Sequence, residues 1–155
     1  MNLRFEKRKK FYVSGYPMET SEESLEKDCA TLRAKYEDKL KSISEHLYFA
    51  SFMSKGGVMV SPRIEGGVMV YLLGVETTSP NPVTEGAICI EIPTAHFAIA
   101  TVPEGAPILT TWYEFFEKGI PSLGATIDMD YNFYFESFDK NGVCELWIPV
   151  VKTDN

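Results

Sequence analysis

Six residues, Leu25, Cys29, Leu32, Tyr36, Leu40 and Ile43, recur at steps of four, three, four, four and three. An α-helix gathers that spacing on one face, and Glu26, Lys27, Arg33, Lys35 and Lys39 fill the remainder. Thr20 and Glu23 stand at capping-box spacing just ahead of it. Strand-like segments lie on both sides. Phe11 to Tyr16 is a short aromatic and β-branched run that Pro17 is expected to end, and Tyr48 to Met53 follows the helix. Gly56-Gly57-Val58-Met59-Val60 is then repeated as Gly66-Gly67-Val68-Met69-Val70, with Pro62 between the copies. Two copies are too few for a solenoid, so a long hairpin or an inserted loop is expected before the strand Val70 to Val75.

The same order returns after a Pro-, Asn- and Ser-containing connection over residues 77–85. Ala87 to Ile92 and Ala95 to Val102 read as a β-rich stretch, bent or bulged at Pro93. Pro107 opens a second helix carrying Ile108, Trp112, Phe115 and Phe116, with Gly119-Ile120-Pro121 as its expected stop. Tyr131 to Phe138 and Val143 to Val150 complete the chain as strands joined through Asn141-Gly142, a hairpin signal. The expected fold is therefore α+β: one domain over residues 1–155, with pseudo-repeats near 9–76 and 86–151. Each repeat is strand, helix, strand, strand, and the two pack about a pseudo-two-fold axis. Their antiparallel strands and two main helices would surround a central cleft at the seam.

Charge narrows the function. The net charge of −7 divides into +1 over residues 1–46 and −8 over residues 47–155. An acidic body repels phosphate backbones and attracts cationic small molecules, so direct nucleic-acid binding is not expected. Cys29, Cys89 and Cys144 are odd in number and form no CxxC pair, which fits a reducing compartment. With no signal-peptide pattern and no bilayer-length apolar run, the expected location is cytoplasmic, away from membranes. No phosphate-loop, dinucleotide, zinc-protease or serine-hydrolase motif is present. His46 and His96 are too far apart to start a metal site, and His96 is expected to be a packed or hydrogen-bonded strand histidine. No cofactor or metal is expected.

Candidate binding residues come from the penultimate strand. Tyr134, Glu136 and Phe138 alternate and so share one face. If that face meets water, Glu136 is an ordinary surface residue. If it is buried, a carboxylate between aromatics needs a partner, and an organic cation would serve, with cation–π attraction added. Tyr36, Tyr71, Trp112 and Trp147 lie on four other elements. They are either core residues or, through their polar tips, cavity-lining ones.

The order of these elements resembles the GyrI-like small-molecule-binding family, which also forms the C-terminal effector-binding part of AraC- and MerR-type multidrug regulators. The resemblance rests on Phe11-Tyr12-Val13-Ser14-Gly15, on Trp112-Tyr113-Glu114-Phe115-Phe116 through Ile120-Pro121, and on Phe135-Glu136-Ser137-Phe138 followed by Glu145-Leu146-Trp147-Ile148-Pro149-Val150. It implies that Glu136 is the ligand-facing acid. Tyr134, Phe138, Tyr36, Tyr71, Trp112, Phe116 and Trp147 would line the pocket around it. Three functions follow as expectations. The first is a stand-alone protein that binds and sequesters apolar, aromatic, often cationic compounds. The second is a hydrolase of strained, cyclopropanoid electrophiles, with Glu136 activating water and Tyr134 or Tyr71 polarising the leaving oxygen. The third is an inhibitor of a protein partner such as DNA gyrase. The sequence alone does not separate binding from catalysis.

Overall fold

In the computed structural model, residues 2–21, 23–55, 58–60, 68–82, 84–131 and 133–153 are described. Ten strands form one antiparallel sheet: β1 (Asn2–Arg8), β2 (Phe11–Thr20), β3 (Leu47–Lys55), β4 (Val58–Val60), β5 (Val68–Thr77), β6 (Ile88–Ile92), β7 (Ala95–Thr101), β8 (Ala125–Ile127), β9 (Phe133–Phe138) and β10 (Cys144–Lys152). The main path runs β1-β7-β10-β9-β3-β5-β2-β6, with β4 beside β3 and β8 beside β10. Among the described residues two helical segments join the sheet: α1 (Leu25–Lys41), and α2 (Ile108–Glu114), which continues through a π-turn (Phe115–Gly119) into a last turn, α3 (Ile120–Ser122).

The two ends of this path are one ladder. Arg8 on β1 opposes Ala95 on β7, and Phe11 on β2 opposes Ile92 on β6. Moving on three residues in one strand and back three in the other keeps the register, so β1–β2 and β7–β6 are two long strands, each bent once. The bends fall at Lys9-Lys10 and Pro93-Thr94, where the Lys10 N–H donates to Thr94 Oγ1 at 3.0 Å. Three residues reach about 11 Å, so the sheet curls until its two ends meet. Phe11 on β2 and Phe135 on β9 confirm the curl. They are three strand spacings apart along the sheet, about 14 Å, yet their ring centroids lie 5.8 Å apart.

The concave face is an apolar core of its own, containing Phe11, Val13, Ile92, Phe97, Phe133, Phe135 and Trp147. The helices cover the convex face. α1 packs over β2 and β5, with Leu32 and Leu40 fully buried. α2 and the turns that continue it pack over β7, β9 and β10 through Trp112, Phe115 and Ile120. Between the two helices runs the central β3–β9 pair, in which Phe49 opposes Glu136.

Several local expectations change. Residues 2–8, ahead of the first expected strand, form β1, because Leu3 and Phe5 alternate with Arg4 and Glu6. β2 runs through Pro17 to Thr20. Its ladder with β6 ends at Gly15, so beyond that point one side of β2 is an edge, where a strand proline is tolerated. The capping box does not form: Thr20 Oγ1 donates to Asp28 Oδ2 at 2.6 Å, and the helix starts after Ser24. Ile43 lies past the end of α1, 44% exposed.

The second helix does not stop at Gly119. It widens into the π-turn, where the Ile120 N–H reaches back to Phe115 O, and this accommodates Pro121 before the chain leaves the helix. In the repeated segment, Gly56, Gly57 and residues 61–67 lie outside the described residues. Val58–Val60 pairs with Met53–Lys55, and Val68 begins β5. The β9–β10 turn places Gly142 at φ +80° and no other residue at positive φ, so it is a type I turn closed by a left-handed glycine. Asp139 Oδ1 accepts from the Asn141 and Val143 amides there. His96 is exposed rather than packed.

Candidate functional site

Glu136 is 6% exposed. Strand alternation turns it, with Tyr134 and Phe138, to the convex face, and the β3–β9 register sets it in the seam between α1 and α2. Tyr71, on β5, donates its hydroxyl to Glu136 Oε1 at 2.9 Å, and Trp112, on α2, donates Nε1–H to Oε2 at 3.3 Å. Each half of the chain thus supplies one neutral donor to the same carboxylate. Among the described residues Glu136 joins no ion pair.

Burial raises the Glu136 pKa above the ordinary carboxyl value. The two hydrogen bonds and the positive charge of Arg33 act the other way without cancelling it. The same burial, with the Glu136 charge beside it, raises Tyr71 well above the usual phenol value and pushes Cys29, on α1, up to about 12. The seam is therefore a low-dielectric place in which a negative charge is under-compensated.

Aromatic rings wall the carboxylate. Trp112 meets Tyr134 edge-on at 4.7 Å and stacks on Phe116 at 5.3 Å. On the other side Phe49 packs against Tyr71 at 5.2 Å and Phe138 at 6.1 Å. An open groove of about 370 Å³ reaches this wall only at Phe138 and is otherwise bounded by Arg33, Glu37, Lys41, Glu45, Leu47, Asp139, Lys140 and Gly142. That volume is near the lower end for small-molecule sites.

Tyr134, Glu136, Phe138, Tyr71, Trp112 and Phe116 thus come together. Tyr36 sits on the same side of the sheet, packed against the cluster of Phe49 and Tyr71, where it stacks on Tyr16 of β2 at 3.8 Å. Trp147 lies on the concave face. The register pairs Leu146, not Trp147, with Glu136. Trp147 instead stacks on Phe135 at 5.2 Å and donates to Ser137 Oγ at 3.2 Å. The sequence pattern did not assign Arg33, Cys29 or Phe49 to the site. A signal existed for the first two: Cys29, Arg33, Glu37 and Lys41 recur every four residues, a second stripe beside the apolar one. Among the described residues no cluster of His, Cys, Asp and Glu could hold a metal, and no helix is long and apolar enough to cross a membrane.

The fold is shared with known structures. An integron cassette protein from the mobile metagenome of Vibrio cholerae aligns with a TM-score of 0.66 at 15% identity, covering 96% of this chain and 95% of that one. A structure of SAV2435 bound to tetraphenylphosphonium aligns at 0.71 and 10% identity, covering 97% and 94%. EcmrR, in a complex with DNA, aligns at 0.55 and 14% identity, covering 98% of this chain and 58% of EcmrR. These likenesses are those of the GyrI-like effector-binding fold. No curated protein matches in sequence. Residues 4–150 match the family described as Cass2, integron-associated effector binding protein, and the chain belongs to that family.

Proposed function

We propose that the protein binds and sequesters apolar, aromatic, often cationic small molecules in the seam between α1 and α2, with Glu136 as the charge partner. One observation carries this: a buried carboxylate held by two neutral donors, Tyr71 and Trp112, inside an aromatic wall. Leaving a carboxylate so placed costs free energy unless a partner arrives. A flat cation supplies that partner, and its faces suit Trp112, Tyr134 and Phe138. The tetraphenylphosphonium bound to SAV2435, of the same fold, is an aromatic cation and supports this class of ligand.

Trp112 is 6% exposed and bonded to Glu136, so a ligand resting against its ring changes its surroundings. Titrating rhodamine 6G into wild type and Glu136→Gln tests the proposal. The substitution is expected to weaken binding by about tenfold or more, with quenching of tryptophan fluorescence in wild type. Equal affinity in the two proteins would remove Glu136 from the site.

A second reading, hydrolysis of a strained electrophile, draws on the raised pKa of Glu136 and its bond from Tyr71, an arrangement suited to general acid–base work. Turnover of a cyclopropanoid alkylator beyond one equivalent per protein, lost in Glu136→Gln, would favour it over binding.

A further inference from the structure

Arg33 already occupies the place where a ligand cation would sit. Its guanidinium carbon lies 4.4 Å from the Phe138 ring centroid and 4.9 Å from that of Phe49, both inside cation–π range. Phe49 is the cross-strand partner of Glu136, and Phe138 is two residues along the same strand face. The guanidinium thus rests on the two rings that flank the carboxylate, and its charge is the one that reaches Glu136.

Little fixes it there. Its ion-pair partner among the described residues is Glu37, at 3.8 Å, and the same Glu37 oxygen is closer to Lys41, at 3.0 Å. The Arg33 side chain is 35% exposed and forms part of the wall of the 370 Å³ groove. It is a cation on an aromatic bed, one helical turn from a carboxylate that can hold it elsewhere, with open space beside it.

We infer that Arg33 is an internal stand-in for the ligand, holding the cation position beside Glu136 in the unliganded protein and swinging into the groove when an organic cation displaces it. This rests on the proposed binding of cations at Glu136 and adds its control. Arg33 limits the charge left uncompensated in the empty site. It also sets a threshold for ligands. A compact, strongly hydrated ammonium gains too little from the rings to replace a weakly hydrated guanidinium, whereas a delocalised aromatic cation gains enough.

Arg33→Ala and Arg33→Met, the second keeping the packing stem, should bind tetraphenylphosphonium about tenfold more tightly than wild type by calorimetry, because a competing cation–π contact is gone. Lys27→Ala, which removes an exposed α1 charge, should not change the affinity. Unchanged or weaker tetraphenylphosphonium binding in both Arg33 variants, with wild type binding it, overturns the inference. A second measurement stands apart from large ligands. Methylguanidinium, below denaturing concentration, should raise the Tm of Arg33→Ala but not of wild type or Lys27→Ala. If it does so while no variant binds tetraphenylphosphonium, the cation position stands and the proposed ligand class falls. If it does not, Arg33 holds no such position and the inference is overturned.

Discussion

The two faces of the central strand β9 carry almost the same chemistry and do different things. Phe133 and Phe135 point to the concave side, where Phe11, Phe97 and Trp147 surround them in edge and stacked contacts. Tyr134 and Phe138 point to the convex side, among Trp112, Phe116, Phe49 and Tyr71. Aromatic density is not what distinguishes a site from a core. The concave cluster closes on itself, and the hydrogen-bonding group of Trp147 reaches Ser137. On the convex side a carboxylate interrupts the packing, its hydrogen bonds are drawn from both halves of the chain, and burial still wins over them. Unbalanced charge, not ring count, sets the convex face apart.

The comparison can be broken in four places. Phe135→Ala should have the largest effect, a loss of about 3–5 kcal/mol in urea unfolding from the cavity left in the concave core, while the protein that remains folded keeps its affinity for rhodamine 6G. A loss of dye affinity in that folded fraction would mean the faces are coupled. Trp112→Phe removes one donor from the buried carboxylate and should weaken dye binding by about tenfold, the worth of a charge-assisted hydrogen bond that also positions the ring. Trp147→Phe removes the bond to Ser137 on the opposite face. It should cost about 1 kcal/mol of stability and leave dye affinity as it was, whereas weaker binding would return Trp147 to the pocket.

The smallest effect is one of pH. The folded-state pKa of Glu136 lies above the ordinary carboxyl value, so the unfolded chain gives up this proton first as pH rises. Stability from this group is therefore full at acid pH. It declines as pH climbs from the ordinary carboxyl value to the folded one, and stays reduced above it. The difference in Tm between wild type and Glu136→Gln should fall across that window. A difference that stays flat or grows would mean Glu136 is not buried as described.

Much of this was legible in the chain. The steps of four and three that place Leu32 and Leu40 under α1 are visible in the sequence, as is the alternation that puts Tyr134, Glu136 and Phe138 on one side of β9. Which side is buried was not, because it depends on α1 and α2 coming from distant segments. Trp147 shows the limit best. Alternation says that it and Leu146 face opposite ways, but which of them joins Glu136 depends on the pairing register across the 139–143 turn, and a slip of one residue exchanges the faces. Arg33 was hidden for another reason. A long cationic side chain on the polar flank of an amphipathic helix reads as solvated, although its stem can carry the charge inward onto rings.

The continuous ladder of the first and seventh strands has a consequence for the order of folding. Asn2 pairs with Thr101, so β1 has no partner until the whole stretch of chain between them has been made. Loop closure over that separation is slow. Until then Leu3 and Phe5 stay bare, and afterwards the late-made β7 is held between β1 and β10. Removing residues 2–8 would leave the helices and Glu136 in place in the sequence, yet strip one flank from a central element and open an edge to pairing with other chains.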